Sequence, residues 1–477
     1  MKLVQLFKTP NAFYAFDAPM GKMIEVSEEL YKYLETNQTG TEDAPEEFKL
    51  YSSQGFFRAE SPVKQISHPY TKILDTYVER KLSKITLQLT QQCNFRCNYC
   101  IYSEDHSKMQ RSHSNKKMDF SVAKKAVDFL WEHSVDSPDA NIGFYGGEPL
   151  LVFDLIKQVI EYSKELFYGK LITYNITTNG SLLEDDVVDY LVENGVSLMI
   201  SLDGPKSIHD SNRHFANGRG TYDDVMAKIQ RIKERHPAYW KDIQYSMVMD
   251  PANDFDEISK ICNEESIVSK NVTASMLDQD YDGIVPEASD EYIRNYEYGL
   301  FLAYLAHWKR YPEDKVSPIS LHRVESSLGQ MYHIDMMGAL RDMDVPAGPC
   351  VPGMMRLFID VDGQLFPCER VSEQSDAMKI GHLDSGFEAE KVRQLIEVGQ
   401  ITEEACRNCW CFRLCNQCAK KADEGNDNLS SAARLRYCKY SRSDAYNKLQ
   451  EYLFVHEVPE YYKEQIRLDE EWGKSES

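Results

Sequence analysis

Lys84–Cys100 reads KITLQLTQQCNFRCNYC: an apolar, β-branched run suited to a buried strand, followed at once by cysteines spaced C-x3-C-x2-C. The strand pattern recurs downstream in ANIGFYGG (Ala140–Gly147), LITYNITTNG (Leu171–Gly180), GVSLMISLDG (Gly195–Gly204), IQYSMVMD (Ile243–Asp250) and NVTASML (Asn271–Leu277). Between these runs lie FSVAKKAVDFLWEH, FDLIKQVIEYSKELF, LEDDVVDYLVEN and TYDDVMAKIQRIKER, each with apolar residues at helical spacing. Six strands alternating with helices predict a parallel α/β architecture, either an open sheet or an incomplete barrel. Both place working groups at the carboxyl ends of the strands. Those ends carry Cys93, GGEP, TTNG and SLDGP.

Composition narrows the function. The chain has 477 residues, 42% of them hydrophobic, enough for a full core and, by length, about three domains. Its net charge of -22 argues against generic binding to nucleic acid or anionic membrane. No signal peptide is evident, and the most apolar helical run, YGLFLAYLAHW, is too short to span a bilayer, so the expected location is cytoplasmic. Thiols stay reduced there, and clustered cysteines read as metal ligands. Of the 12 cysteines, Cys262 stands alone and reads as a core residue.

Three thiolates on one short loop can hold three corners of a cubane iron–sulfur cluster and leave its fourth iron open. A closed zinc site needs a further ligand, for which His106 and His113 are at hand. CNFRCNYC after a strand resembles the signature of the radical S-adenosylmethionine (radical SAM) enzymes. The resemblance implies that Cys93, Cys97 and Cys100 bind the cluster and that its open iron chelates S-adenosylmethionine. Reductive cleavage then yields a 5'-deoxyadenosyl radical that abstracts a substrate hydrogen. It further implies that Gly146, Gly147 and Glu148 bind the methionyl amino group, with Glu148 as an acceptor. Tyr99 matches the position near the adenine. SLDGPKSIHDSNRHFANGRGTYDDV, from Ser201, is similar to the peptide-modifying branch, with Ser201 and Arg213 as holders of the methionyl carboxylate. Arg213 otherwise reads as a surface ion pair, Tyr99 as loop packing, and Asn179 as either a site residue or a turn former.

CRNCWCFRLCNQC, Cys406–Cys418, adds a second cysteine concentration. With Cys350, Gly363, Cys368 and Cys438 it resembles the SPASM domain, which holds two auxiliary cubane clusters and so implies three in all. By that resemblance Cys406, Cys409, Cys415 and Cys438 bind the second auxiliary cluster, and Cys350, Cys368 and Cys418 the first. The last spacing is x2 rather than x3, and Cys411 is extra. Either Cys411 completes the first cluster or that cluster keeps an open iron. Such an iron can bind a substrate thiolate, the arrangement implied by thioether-forming relatives. Trp410 and Phe412 are expected to wall the clusters from water.

The resemblance implies an α/β fold built on a partial (β/α)6 TIM-like barrel. The expected divisions are an N-terminal winged-helix-like leader-peptide recognition module over 1–75, the core barrel over 81–310, a helical bridge over 311–345, the SPASM domain over 346–445 and a helical tail over 446–477. The first of these reads alternatively as a cap on the barrel. The expected activity is a maturase of a ribosomally made, cysteine-rich precursor peptide with a leader, joining a cysteine sulfur to carbon. Its electron donor would be of the flavodoxin or ferredoxin type. The rivals are a formylglycine-forming sulfatase maturase, a carbon–carbon crosslinking maturase, and a non-catalytic zinc or iron–sulfur regulator. Asp278, Asp280 and Asp282 read as a solvated loop or as substrate contacts.

Overall fold

The computed structural model describes residues 3–36, 44–102, 110–264, 271–277, 287–354 and 356–457. His106 and Asp278, Asp280 and Asp282 lie outside them.

The six expected barrel strands are all present. They are β5 (Lys84–Gln88), β6 (Asp139–Tyr145), β7 (Leu171–Thr178), β8 (Val196–Ser201), β9 (Gln244–Met249) and β10 (Val272–Met276). Each pairs in parallel with the next, so the fold is α/β and consistent with a partial TIM-like barrel. Helices Phe120–His133, Phe153–Leu166, Asp185–Glu193 and Tyr222–Arg235 alternate with them. Asp119 caps the first by accepting from the Ser121 amide at 3.0 Å. Val127, Leu130, Ile156, Val159, Leu191 and Ile229 from these helices join Ile85, Leu87, Ile142, Phe144 and Ile176 from the strands in one core. Each such side chain contributes roughly 1.5–3 kcal/mol by leaving water.

Three smaller elements attach to this frame. An antiparallel meander, β1 (Val4–Lys8), β2 (Phe13–Asp17) and β3 (Lys22–Val26), leads into helices Glu28–Glu35 and Glu46–Ser53. Ser27 caps the first helix through its hydroxyl. One face of the meander packs on these helices through Ala15, Leu30, Leu34, Phe48 and Phe57. The other face, Phe7 and Phe16, packs on Leu449 and Leu453 of the long helix Cys438–His456. The two-residue β4 (Gln65–Ile66) pairs with β11 (Met343–Asp344). Helices Asp290–His307 and Pro318–Asp335 precede Cys350.

The cysteine-rich region is continuous with the barrel. β12 (Leu357–Ile359) adds in parallel to the free edge of β5, and β13 (Gln364–Phe366), β14 (Gly381–His382) and β15 (Gly386–Phe387) extend the same sheet. Strands of two or three residues carry too little alternation to be read as periodic, so the sequence gives no sign of this junction.

Candidate active site

The cysteine loop leaves β5 and is bolted down on two sides. On one side the Gly147 amide donates to the Thr90 carbonyl at 2.7 Å, and the Glu148 amide to the Gln92 carbonyl at 2.9 Å. A Cβ on Gly147 would lie 2.1 Å from the Gln92 oxygen, so only glycine permits this approach. The close approach made by GGEP is thus to the backbone of the cysteine loop itself. On the other side the Arg96 amide donates to His214, the Asn98 amide to Asn212, and the Ala216 amide to Asn94. Phe95 and Phe215 meet edge-on, with ring centroids 5.0 Å apart.

Glu148 is buried. Its oxygens accept from the Leu150 amide (3.0 Å), the Thr178 hydroxyl (2.7 Å) and the Asn179 amide (2.8 Å). Burial pushes its carboxyl up to about 7, against the pull of those three donors. It ties the end of β6 to the end of β7. The Asn179 side-chain carbonyl accepts from Ser181, shaping the turn, and its side-chain amide donates to Asn94 beside Cys93.

At the end of β8, Ser201 is half-buried, and Asp203 is the hub. Asp203 Oδ2 accepts from Arg213 Nε at 2.8 Å and from the Tyr99 hydroxyl, while Oδ1 accepts from the Val248 amide at 3.0 Å. Arg213 stacks 5.4 Å from the Tyr99 ring. The arginine is therefore in a buried pair and not on the surface. Its Nε is spent on Asp203, which leaves the Nη edge for a carboxylate. Tyr99, Arg213, Asn179 and the cysteine loop are thus brought to one mouth of the barrel. Asp203 lay in the quoted SLDGP motif, two residues past Ser201, and an acid so near a recruited arginine was the available signal.

A second polar network had no signal in the sequence. Glu373 accepts from Arg111 Nε (2.6 Å), Gln88 Nε2 (2.6 Å) and the Tyr102 hydroxyl (3.0 Å), and Arg111 lies 3.8 Å over the Tyr102 ring. It fastens the segment after Cys100 to the cysteine-rich region. His113 sits with Nδ1 3.4 Å from the Gln91 carbonyl oxygen.

The thiols suit iron–sulfur clusters. Burial raises Cys93 to about 12 and Cys97 to about 11, so loading a cation must displace their protons. Further along, Cys406, Cys409, Cys411, Cys415 and Cys438 line one cavity of about 250 Å³. Among the described residues no three side chains converge as a single metal ion requires. A cubane spreads its thiolates over a wider space. The extra cysteine, Cys411, is buried in this cavity and donates to the Ser441 carbonyl at 3.5 Å. Phe412 lines the cavity, whereas Trp410 turns away into the apolar cluster of Phe7, Phe16 and Leu449. Cys368 has Cys418 as a charge neighbour. A Cβ on Gly348 would meet the Gln417 oxygen at 2.1 Å, so the segment entering Cys350 is pressed against the one entering Cys418. Cys262 is half-buried against the barrel core.

Residues 87–264 match the model of the Radical SAM superfamily. A cysteine-type anaerobic sulfatase-maturating enzyme of Clostridium novyi is 22% identical over 73% of this chain and 90% of its own. The radical SAM cyclopropyl synthase TigE of Paramaledivibacter caminithermalis is 24% identical over 48% of this chain, which spans about half (53%) of that enzyme. The solved structure "Native anSMEcpe with bound AdoMet and Kp18Cys peptide" superposes with a TM-score of 0.56 at 20% identity, covering 78% of this chain and 97% of that one. Residues 87–264 thus carry the radical SAM match, within an α/β fold like that of the solved structure. The chain's relatives of known activity include anaerobic sulfatase maturases and a cyclopropyl synthase. No helix among the described residues is long and apolar enough to cross a membrane.

Proposed function

We propose that this enzyme matures a ribosomally made, cysteine-rich peptide by joining a cysteine sulfur to a carbon of the same peptide. The reading rests on one observation: Cys411 lies in the cavity of Cys406, Cys409, Cys415 and Cys438, which leaves Cys350, Cys368 and Cys418 as a set of three. A cluster on three protein thiolates keeps one iron for a substrate thiolate. Cys93, Cys97 and Cys100 hold the radical-generating cluster. The Gly146–Gly147 backbone, Asn179, Ser201 and the Nη edge of Arg213 hold S-adenosylmethionine, with Tyr99 beside the adenine. Glu148 accepts from the methionyl ammonium, and Asp203 keeps Arg213 and Tyr99 in place. Bound there and reduced, the cofactor supplies the 5'-deoxyadenosyl radical, while the chain aligns the reacting C–H and excludes water. The electron comes from a flavodoxin- or ferredoxin-type donor. The edge of β3 receives a leader peptide as an added strand, by main-chain hydrogen bonds. The module over 1–75, the barrel over 81–310, the bridge over 311–345, the cluster domain over 346–445 and the tail over 446–477 divide this labour.

Formylglycine formation on a sulfatase is the second reading, favoured by the alignment with nearly the whole Clostridium novyi maturase. Mass spectrometry of a co-produced cysteine-rich peptide, after thiol alkylation under reducing conditions, separates the two. Loss of two hydrogens per blocked thiol is the expected result. An unchanged peptide beside vigorous deoxyadenosine release overturns the thioether reading and directs the search to sulfatase peptides.

A further inference from the structure

The cavity lined by five thiols also contains a charge that no carboxylate among the described residues balances. Arg434, in the helix Ser431–Arg436, is 2% exposed and lines that cavity. Its Nε donates to the Thr402 hydroxyl at 3.1 Å. Its Nη1 is buried with no hydrogen-bond partner, and among the described residues no carboxylate pairs with it. Thr402 Oγ1 in turn lies 3.2 Å from Cys406 Sγ. Cys406 and Cys415 both lie within the electrostatic reach of the guanidinium. Gln417, 3% exposed, turns its Nε2 towards Cys438 Sγ at 3.8 Å on the same wall.

A buried, unpaired guanidinium is strongly unfavourable and persists only where an anion offsets it. The surface is no source of that anion, because the side chain is sealed from solvent. The thiols supply it only as thiolates, the form in which they hold a cluster. A cubane cluster on four thiolates supplies it: it is a dianion, and its one-electron-reduced form is a trianion. Arg442 also lines the cavity, but it is exposed, and solvent screens it.

We infer that Arg434 is the fixed counter-charge of the auxiliary iron–sulfur cluster held in this cavity, a positioning residue that stabilises the cluster and raises its reduction potential. This rests on the iron–sulfur reading above. The sign follows from charge alone. The trianion loses more than the dianion when the cation is removed, so its loss disfavours reduction.

The test uses full-length enzyme reconstituted anaerobically with iron and sulfide, in a parent carrying Cys93→Ala, Cys97→Ala and Cys100→Ala so that only auxiliary clusters report. Midpoint potential is read by redox titration with electron paramagnetic resonance, and cluster retention by iron release to a chelator. In R434M the potential of one cluster is expected to move to a more negative value, and its iron to leave ~10–100-fold faster. R434K, which keeps the charge, is expected to stay near the parent in potential. If R434M does not fold, R434Q drops the charge but keeps a donor for Thr402, and carries the same expectation. Parent-like potential and iron retention in the charge-free variant overturn the role of Arg434 and leave the iron–sulfur reading standing. A parent that holds no iron overturns both.

Discussion

Removing the Asp203 carboxylate leaves Arg213 buried with no opposite charge and strips the Tyr99 hydroxyl of its acceptor. Asp203→Ala is therefore expected to cost on the order of 3 kcal/mol, read as a lower urea midpoint, and to weaken S-adenosylmethionine binding. His209, also buried beside this pair, donates or accepts across 3.0 Å to the Thr221 hydroxyl. Burial first, and then Arg213, push its imidazole down to about 4. A group depressed in the folded state favours folding above its unfolded pKa of ~6.5, and that contribution is lost as pH falls towards 4. Unfolding titrations should show on the order of 3 kcal/mol lost across that window, and His209→Gln should flatten the curve there. The two roles of the cysteines separate at this scale as well. Cys93→Ala should abolish S-adenosylmethionine cleavage, whereas Cys418→Ala should spare uncoupled deoxyadenosine release more than peptide modification. Equal loss in both, measured chromatographically, counts against separate clusters.

At the scale of elements, the site depends on three strand ends being held against one loop. β6 reaches the cysteine loop through Gly147, β7 through Asn179, and the segment after β8 through residues 212–216. Gly147→Ala forces a Cβ into the Gln92 carbonyl and must displace backbone, at about 1–3 kcal/mol. Fewer irons per chain after reconstitution, with the far-ultraviolet circular dichroism unchanged, is the expected outcome. An iron content equal to wild type would show that the loop shifts without harm. Barrel elements were legible because their strands and helices are long enough to show a period: the predicted helix 120–133 is the observed one. β12–β15 were not, because two- and three-residue strands gain their identity from the neighbour they pair with.

Across the whole molecule, the N-terminal meander is clamped to the long C-terminal helix. Phe7 stacks on Tyr446 at 4.8 Å, and Glu457 accepts from Thr9, Asn11 and Tyr14. The same long helix begins at Cys438, a thiol of the five-thiol cavity. One element therefore links the proposed leader site to the proposed auxiliary cluster. Hydrogen exchange at Lys22–Val26 should slow when an isolated leader peptide is added. Unchanged exchange at β3 with slowing elsewhere would move the peptide site.

The sequence by itself carried the resemblance that points to the class of chemistry. The spacing of Cys93, Cys97 and Cys100 after a strand, and the strand-end motifs behind it, are local patterns fixed by what three thiolates and a tight turn can do. Tertiary structure alone decided which thiols share a cavity, that Cys411 joins the set of Cys406 and Cys415, and that Arg434 faces them with no carboxylate partner among the described residues. It also decided that Arg213 is held by Asp203 and that the cysteine-rich region continues the barrel sheet. The reason is physical: spacing along the chain governs what one loop can ligate. Burial, pairing of charges and edge-to-edge strand contact arise between segments that the sequence keeps far apart.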